Sequence, residues 1–301
     1  MARQRKGDAI DGIVVLNKPK GLTSNQALQK IKRLFNAQKA GHTGSLDPMA
    51  TGVLPICFGD ATKISQYLLD ADKRYEATLQ LGMETDTGDT EGKAGISQPV
   101  PVLTETLIET ALSRFRGMIE QIPPMYSALK RDGKPLYELA RQGIVLERQP
   151  RQIQIYRLEC LGFDNEKKTI TIDVTCSKGT YIRTLGADIA YALGTAAHLS
   201  ALHRTQCGLI NQKQAHSLSA LQNASEDERA AAIIPVESAF TDLAVLSIPK
   251  EQKEDFYLRG RLELPRDIHG TIRLYDDDHF IAIALFDHGR LIKKQLFKST
   301  C

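Results

Sequence analysis

The sequence predicts an α+β protein, with a mixed region over residues 1–240 and a small β-rich region over 241–301. Two observations carry this. Segments of period two and segments of helical spacing interleave up to about residue 240, with no regular βαβ alternation. Beyond residue 245, short strand-like runs at 271–275, 280–286 and 291–297 are separated by Asp276-Asp277-Asp278 and Asp287-His288-Gly289. With 301 residues, the chain is long enough for a large core and a second small one.

The elements follow in order. Residues 13–16 form an apolar strand that runs into the turn Asn17-Lys18-Pro19-Lys20-Gly21. Ser24 is placed as the N-cap of a helix that carries Leu28, Ile31, Leu34 and Phe35 on one side and Lys30, Lys32 and Arg33 on the other. A glycine-rich stretch, 41–54, comes next, and 60–70 read as a helix. From Tyr75 the period becomes two: Tyr75, Ala77, Leu79 and Leu81 alternate with Glu76, Thr78 and Gln80, as in a strand with one buried face. Residues 83–102, rich in Gly, Asp and Pro, read as a loop. Thr104 caps a helix whose apolar face is Leu107, Ile108, Ala111, Leu112 and Phe115. A looser basic segment, 126–151, interleaves Lys130, Arg131, Lys134, Arg141, Arg148 and Arg151 with Tyr126 and Tyr137. A second half-buried strand through Ile170, Ile172, Val174 and Cys176 leads into a helix over 181–193, and 223–233 is polar and helix-prone.

The composition, 42% hydrophobic and 25% charged, is that of a folded globular chain rather than a disordered one. The net charge of +3 is too small to imply a polyanionic partner, but its distribution is uneven. Residues 1–40 hold nine Lys/Arg, Arg3, Arg5 and Lys6 among them, against Asp8 and Asp11. Such an excess attracts polyanions, and it equally suits a solvated basic terminus. The five cysteines, Cys57, Cys160, Cys176, Cys207 and Cys301, are odd in number and widely spaced. They fit a reducing cytoplasm better than a zinc site or a disulfide framework. No apolar run approaches membrane-spanning length. Neither a Gly-x-Gly-x-x-Gly nor a P-loop motif occurs, which disfavours dinucleotide and nucleoside-triphosphate enzymes.

Within residues 41–54, Asp47 stands among small and apolar residues with no other acid. Asp-Pro commonly starts a turn. Four small residues before it (Gly41, Thr43, Gly44, Ser45) also suit a backbone that approaches a ligand closely, with Asp47 as nucleophile or base. His42 has no second histidine near it for a metal site and suits stacking on, or hydrogen bonding to, a planar base. Tyr75 lies on the apolar face of its strand, and the pattern alone favours a core tyrosine there. Arg183 suits the surface, or a place beside a carboxylate that it keeps ionised.

The run Gly41-His42-Thr43-Gly44-Ser45-Leu46-Asp47-Pro48-x-Ala50-Thr51-Gly52 resembles the signature of the TruB family of pseudouridine synthases. Asn17-Lys18-Pro19-x-Gly21-x-Thr23-Ser24 resembles that family's Lys-Pro motif, and Asp72-Lys73-x-Tyr75 its tyrosine motif. Gln121-Ile122-Pro123-Pro124-x-Tyr126-Ser127-Ala128 and Gly133-Lys134-x-Leu136-Tyr137 resemble its thumb-like RNA-binding insertion. Cys176-Ser177-Lys178-Gly179-Thr180-Tyr181-Ile182-Arg183 resembles its arginine motif. The likeness is collinear over roughly residues 8–210.

The resemblance implies a pseudouridine synthase fold. This is a mixed, largely antiparallel sheet flanked by helices, with a thumb-like insertion near 124–151 and a small PUA-like RNA-binding domain over 241–301; Gly260 and the 280–297 hairpin are the marks of that domain. It implies conversion of uridine to pseudouridine at position 55 in the T arm of tRNA. Carried over, Asp47 is the catalytic aspartate, Arg183 pairs with it, and Tyr75 stacks on the target base and assists proton handling. His42 contacts the RNA near the flipped base, Tyr181 and Leu202 line the uridine pocket, and Lys18 and Pro19 support the active-site loop. It further implies a cytoplasmic monomer that binds the T stem-loop, with no cofactor, metal, membrane or obligate protein partner. An RNA chaperone, a guide-RNA-dependent pseudouridylase and a hydrolase built on Asp47 are the competing readings.

Overall fold

The computed structural model describes residues 7–264 and 268–297; Arg3, Arg5, Lys6 and Cys301 lie outside the described residues. A mixed sheet organises the larger part. Its main strands are β1 (Gly12–Lys18), β2 (Thr51–Phe58), β3 (Lys73–Leu81), β4 (Gly117–Gln121), β5 (Arg151–Asp164), β6 (Thr169–Cys176), β7 (Ala197–Cys207) and β8 (His216–Ser217). Their spatial order is β8-β1-β2-β7-β3-β6-β5-β4, and short strands Ala40–His42, Ile210–Asn211 and Ile233–Ile234 add to β2, β7 and β1. Only the β1–β8 and β2–β7 pairs are parallel. Helices α1 (Ser24–Leu34), α2 (Glu105–Ser113) and α3 (Ile182–Ala192) cover one face. Leu28, Ile31, Ile108, Leu112, Leu185 and Ile189 from these helices meet Leu54, Leu79, Ile172 and Leu199 from the sheet.

Strand β7 is late in the chain yet central in the sheet. It sets Arg204 beside Gly52 on one side and Tyr75 on the other. Gly52 has φ +103°, and a Cβ there would lie 2.2 Å from the Arg204 carbonyl oxygen, so no other residue fits this crossing.

The alternation in β3 and β6 is as expected: Ala77, Leu79, Leu81, Ile170, Ile172, Val174 and Cys176 are all buried. Thr104 caps α2, accepting from the Leu107 N–H at 3.2 Å. Three expectations are corrected. Thr23, not Ser24, is the N-cap of α1, in a capping box with Gln26. Residues 83–102 include an antiparallel hairpin, Met83–Thr85 with Ala94–Ser97. The region after 245 contains a helix, α4 (Lys250–Arg259), whose polar sequence buries only Phe256 and therefore shows no apolar stripe. Pro249 precedes α4, and Gly260, at φ +68°, ends it.

A second, five-stranded sheet begins at Ala244. Strands β9 (Ala244–Ile248), β10 (Arg261–Glu263), β11 (Gly270–Asp276), β12 (His279–Asp287) and β13 (Arg290–Leu296) lie in the order β9-β11-β12-β13-β10. Leu246, Phe256, Ile272, Leu274, Phe286 and Leu291 form its core. Ile283 and Phe297 pack against Ile13, Val53 and Ile64 of the larger part.

Candidate active site

The loop that carries Asp47 joins Ala40–His42 to β2, and Leu46, Met49 and Ala50 anchor it by burial. Residues 18–24 pin its main chain. The Ser24 hydroxyl accepts from the Leu46 N–H at 2.7 Å and donates to the Leu46 carbonyl at 3.1 Å. The Gly21 N–H donates to the Pro48 carbonyl at 2.8 Å. Lys18 is fully buried, and its ammonium donates to the carbonyls of Pro19 (3.0 Å), Leu22 (2.6 Å) and Pro48 (3.4 Å), one acceptor per N–H. Burial lowers its pKa to about 8, against the attraction of Asp47.

Arg183 enters from the first turn of α3 with its side chain 6% exposed. Its Nε lies 2.9 Å from Asp47 Oδ2 and its Nη2 3.3 Å from Asp47 Oδ1, a two-point contact. The remaining N–H groups donate to the carbonyls of Thr87 (2.5 Å) and Tyr126 (2.7 Å). Buried Asp89 places Oδ2 3.9 Å from the same Nε. Thr87 Oγ1 and the Glu91 N–H hold Asp89 Oδ1 at 2.7 and 3.0 Å. Gly88, at φ +75°, packs over Arg183, where an added Cβ would come within 3.3 Å of the arginine Cβ. One guanidinium thus joins two carboxylates and two main-chain segments. Asp89 is not legible as a site residue inside the polar 83–102 stretch; the adjacent Gly88 is a local signal of close packing there. Burial, and after it the Asp89 charge, raise the Asp47 pKa; Arg183 opposes both. The Asp47 side chain stays 36% exposed on one side, where a substrate has access.

Arg204 is the second residue missed, because the sequence shows no strand signal over 197–207 to set it beside the loop. It is 1% exposed; its Nε donates to the Val53 carbonyl at 2.7 Å and its Nη2 to the Gly44 carbonyl at 3.3 Å. It lies opposite Tyr75 across the β7–β3 pair. Burial pushes the Tyr75 phenol up to about 12, so it is neutral near pH 7. His42 is likewise kept neutral, by burial and then by the Arg204 charge, and its buried Nδ1 has no hydrogen-bond partner among the described residues. Tyr181, the residue before α3, is clamped by buried Gln121, which accepts from its N–H at 2.8 Å and donates to its carbonyl at 3.1 Å. Leu202, two residues before Arg204, is 7% exposed and packs in the core opposite Ala77.

So Asp47, Arg183 and Lys18 form one cluster, Tyr181 stands beside it, and Arg204 ties Tyr75 and His42 to the same loop. The basic segment 126–151 forms a hairpin, Lys130–Arg131 with Lys134–Pro135, followed by a helix, Leu136–Arg141. Lys130, Arg131, Lys134, Arg141 and Arg151 are exposed there, with Arg141 over the Tyr137 ring at 5.5 Å. Among the described residues no His/Cys/Asp/Glu cluster could hold a metal ion, and no helix is long and apolar enough to cross a membrane.

Residues 32–182 match the TruB family pseudouridylate synthase N-terminal domain, and residues 183–241 the tRNA pseudouridylate synthase B C-terminal domain. The tRNA pseudouridine synthase B of Francisella philomiragia subsp. philomiragia is 55% identical over 96% of this chain and 95% of its own length. That of Francisella tularensis subsp. novicida is 53% identical over the same shares. Among solved structures, a chain in a Cbf5-Nop10-Gar1 complex superposes with a TM-score of 0.71 at 27% identity, covering 96% of this chain and 84% of that one. The division at 182/183 falls at the start of α3, and β7 from the second region lies between β2 and β3 of the first, so the two regions build one sheet. With both regions matched in order and more than half of its residues shared with these relatives, the chain belongs to the TruB family of pseudouridylate synthases.

Proposed function

We propose that this protein isomerises uridine to pseudouridine at position 55 in the T arm of tRNA, acting alone as a cytoplasmic monomer. The observation that carries the reading is the partly open Asp47 carboxylate held at two points by buried Arg183. In the reaction the C1′–N1 bond breaks, a C1′–C5 bond forms, the C5 proton leaves and N1 gains one. Atoms and electrons balance within the nucleoside, so no redox partner enters. Asp47 either attacks the nucleoside covalently or removes the 2′ proton; both routes need the ionised carboxylate that Arg183 supports.

A target base inside a folded loop has to be turned out, at a cost of about a few kcal/mol. Stacking on a neutral Tyr75 offsets about 1–3 kcal/mol of this. Neutral His42 then contacts the RNA near the vacated space, and Tyr181 and Leu202 bound the uridine. Residues 1–240 form the synthase unit in this reading. The exposed cations of the thumb-like segment 124–151, the basic N-terminal segment and the PUA-like unit 241–301 grip phosphates, which position the RNA and read little sequence. The test is incubation of the purified chain, with nothing added, with an unmodified tRNA transcript, followed by mapping of pseudouridine. Product at the T-loop uridine is expected. Absence of pseudouridine overturns the activity, and product elsewhere overturns the site.

A further inference from the structure

We infer that Ser24 is a positioning residue for Asp47, an inference that rests on the proposed isomerase reading. Its place in the sequence suggests an ordinary helix cap, but Thr23 and Gln26 already fill that role. The Ser24 hydroxyl is therefore free for a different task, and it is 3% exposed. It uses both of its capacities on a single residue, accepting from the Leu46 N–H at 2.7 Å and donating to the Leu46 carbonyl at 3.1 Å. A bond to each end of Leu46 fixes the two peptide planes that flank it, and the second of these is the peptide that enters Asp47.

The next anchors lie just beyond Asp47. The Ala50 N–H donates to the Asp47 carbonyl at 3.1 Å, and the Pro48 carbonyl takes bonds from the Gly21 N–H and from Lys18. The backbone at Asp47 is thus held on both sides; on the N-terminal side Arg204 bonds the Gly44 carbonyl, and Ser24 is the side-chain anchor next to Asp47 itself. What it holds is direction: the Asp47 carboxylate meets the fork of Arg183 only if its Cα–Cβ bond leaves the loop at the right angle. Leu46 itself is buried, so water does not replace the hydroxyl when it is removed. Ser24 has no part in binding RNA in this picture, which separates it from a residue that shapes the surface.

The test compares Ser24→Ala, Ser24→Cys and Ser24→Thr in single-turnover release of tritium from uridine C5 of tRNA, alongside tRNA affinity and thermal unfolding. Loss of the hydroxyl in Ala and Cys should slow the chemical step by about 10- to 100-fold, since a misplacement near 1 Å costs about that much. Their tRNA Kd should stay within about twofold of the parent, a split that loss of general stability does not produce. Ser24→Thr, which keeps the hydroxyl, should recover most of the rate. If Ser24→Ala fails to fold, Ser24→Cys, which keeps the shape but bonds weakly, decides. A rate within about twofold of the parent in the folded hydroxyl-free variants overturns the inference. So does a loss of affinity that matches the loss of rate. No tritium release by the parent protein would instead overturn the isomerase reading itself.

Discussion

Arg183→Lys tests the two-point contact directly. Both side chains carry one positive charge, so the change leaves net charge alone and removes geometry. In the parent, three nitrogens serve Asp47 at 2.9 and 3.3 Å, Thr87 at 2.5 Å and Tyr126 at 2.7 Å. A lysine brings one nitrogen on a flexible stem and cannot reach the two carbonyls and both carboxylate oxygens together. Two charge-assisted bonds are lost, each contributing about 1.5–3 kcal/mol in a buried setting. The retained cation beside Asp89 and the solvent open to Asp47 bring the net cost to about 3 kcal/mol, within the reserve of about 5–15 kcal/mol of a folded domain. At about 2–4 °C per kcal/mol, the midpoint of thermal unfolding should fall by about 6–12 °C. The rate should suffer more, because Asp47 is left free to rotate away from the nucleoside; a single-turnover loss of about 10²-fold or more is expected. Tritium release from uridine C5 reads the rate, and filter binding reads tRNA affinity, which should hold within about threefold. A folded Arg183→Lys protein that keeps about half of the parent rate would refute the argument.

Asp47→Asn keeps the shape and removes the charge; turnover should vanish while tRNA binds as well or better, one negative charge having gone, and measurable pseudouridine from this variant would sink the assignment. Asp89→Asn removes the like charge that raises the Asp47 pKa. On the proposed reading, activity needs ionised Asp47 and is lost as pH falls through its raised value, so the acid limb of the pH–rate profile should move to lower pH; an unmoved limb, or a move upward, refutes the coupling. Gly52→Ala would place a methyl 2.2 Å from the Arg204 carbonyl at φ +103° and push β2 from β7. A loss of about 3 kcal/mol or more is expected in denaturant unfolding, and a melting curve like the parent's contradicts the packing argument. Lys18 has its pKa lowered on folding to about 8 from 10.5, so between these values the unfolded chain holds a proton that the folded one lacks. Stability relative to Lys18→Met should therefore rise with pH across that window, by up to about 1.4 kcal/mol per unit; a flat or falling difference refutes the burial of the charge.

What the sequence made legible follows physical range. Strands β3 and β6 were visible because each buries one face, and burial writes period two into consecutive residues. Asp47 stood out because its neighbours are small, and Arg183 because its motif is collinear with the others. Ser24 reads as a helix cap in the sequence because Ser and Thr cap helices equally well and the deciding partner, Leu46, lies on a separate loop. Arg204 and Asp89 were invisible for the same reason. Their partners, Val53, Gly44 and Arg183, are brought to them by the central placement of β7 and by the hairpin over α3, neither of which leaves a periodic trace. The helix over Lys250–Arg259 was missed because it buries a single side chain, Phe256.

The charge of Asp47 is set between opposed neighbours, and a seated nucleoside shifts that balance. Water on the open side screens Asp47 from Asp89 and weakens its attraction to Arg183 alike. A nucleoside seated there displaces that water. Two charges about 4 Å apart then interact by about 4 kcal/mol at an effective dielectric near 20, against about 1 kcal/mol in bulk water. Arg183 Nε lies 2.9 Å from Asp47 and 3.9 Å from Asp89, so closure strengthens the attraction to its nearer partner most. Lys18, buried beneath the loop, adds to the same side. Displacing that water also deepens the burial that raises the Asp47 pKa, so the strengthened Arg183 contact is what offsets desolvation of the carboxylate when a nucleoside is in place. The arrangement also explains why the arginine is anchored to two main-chain carbonyls as well as to acids. A guanidinium fixed by Thr87 and Tyr126 stays in place while the charges around it are rebalanced.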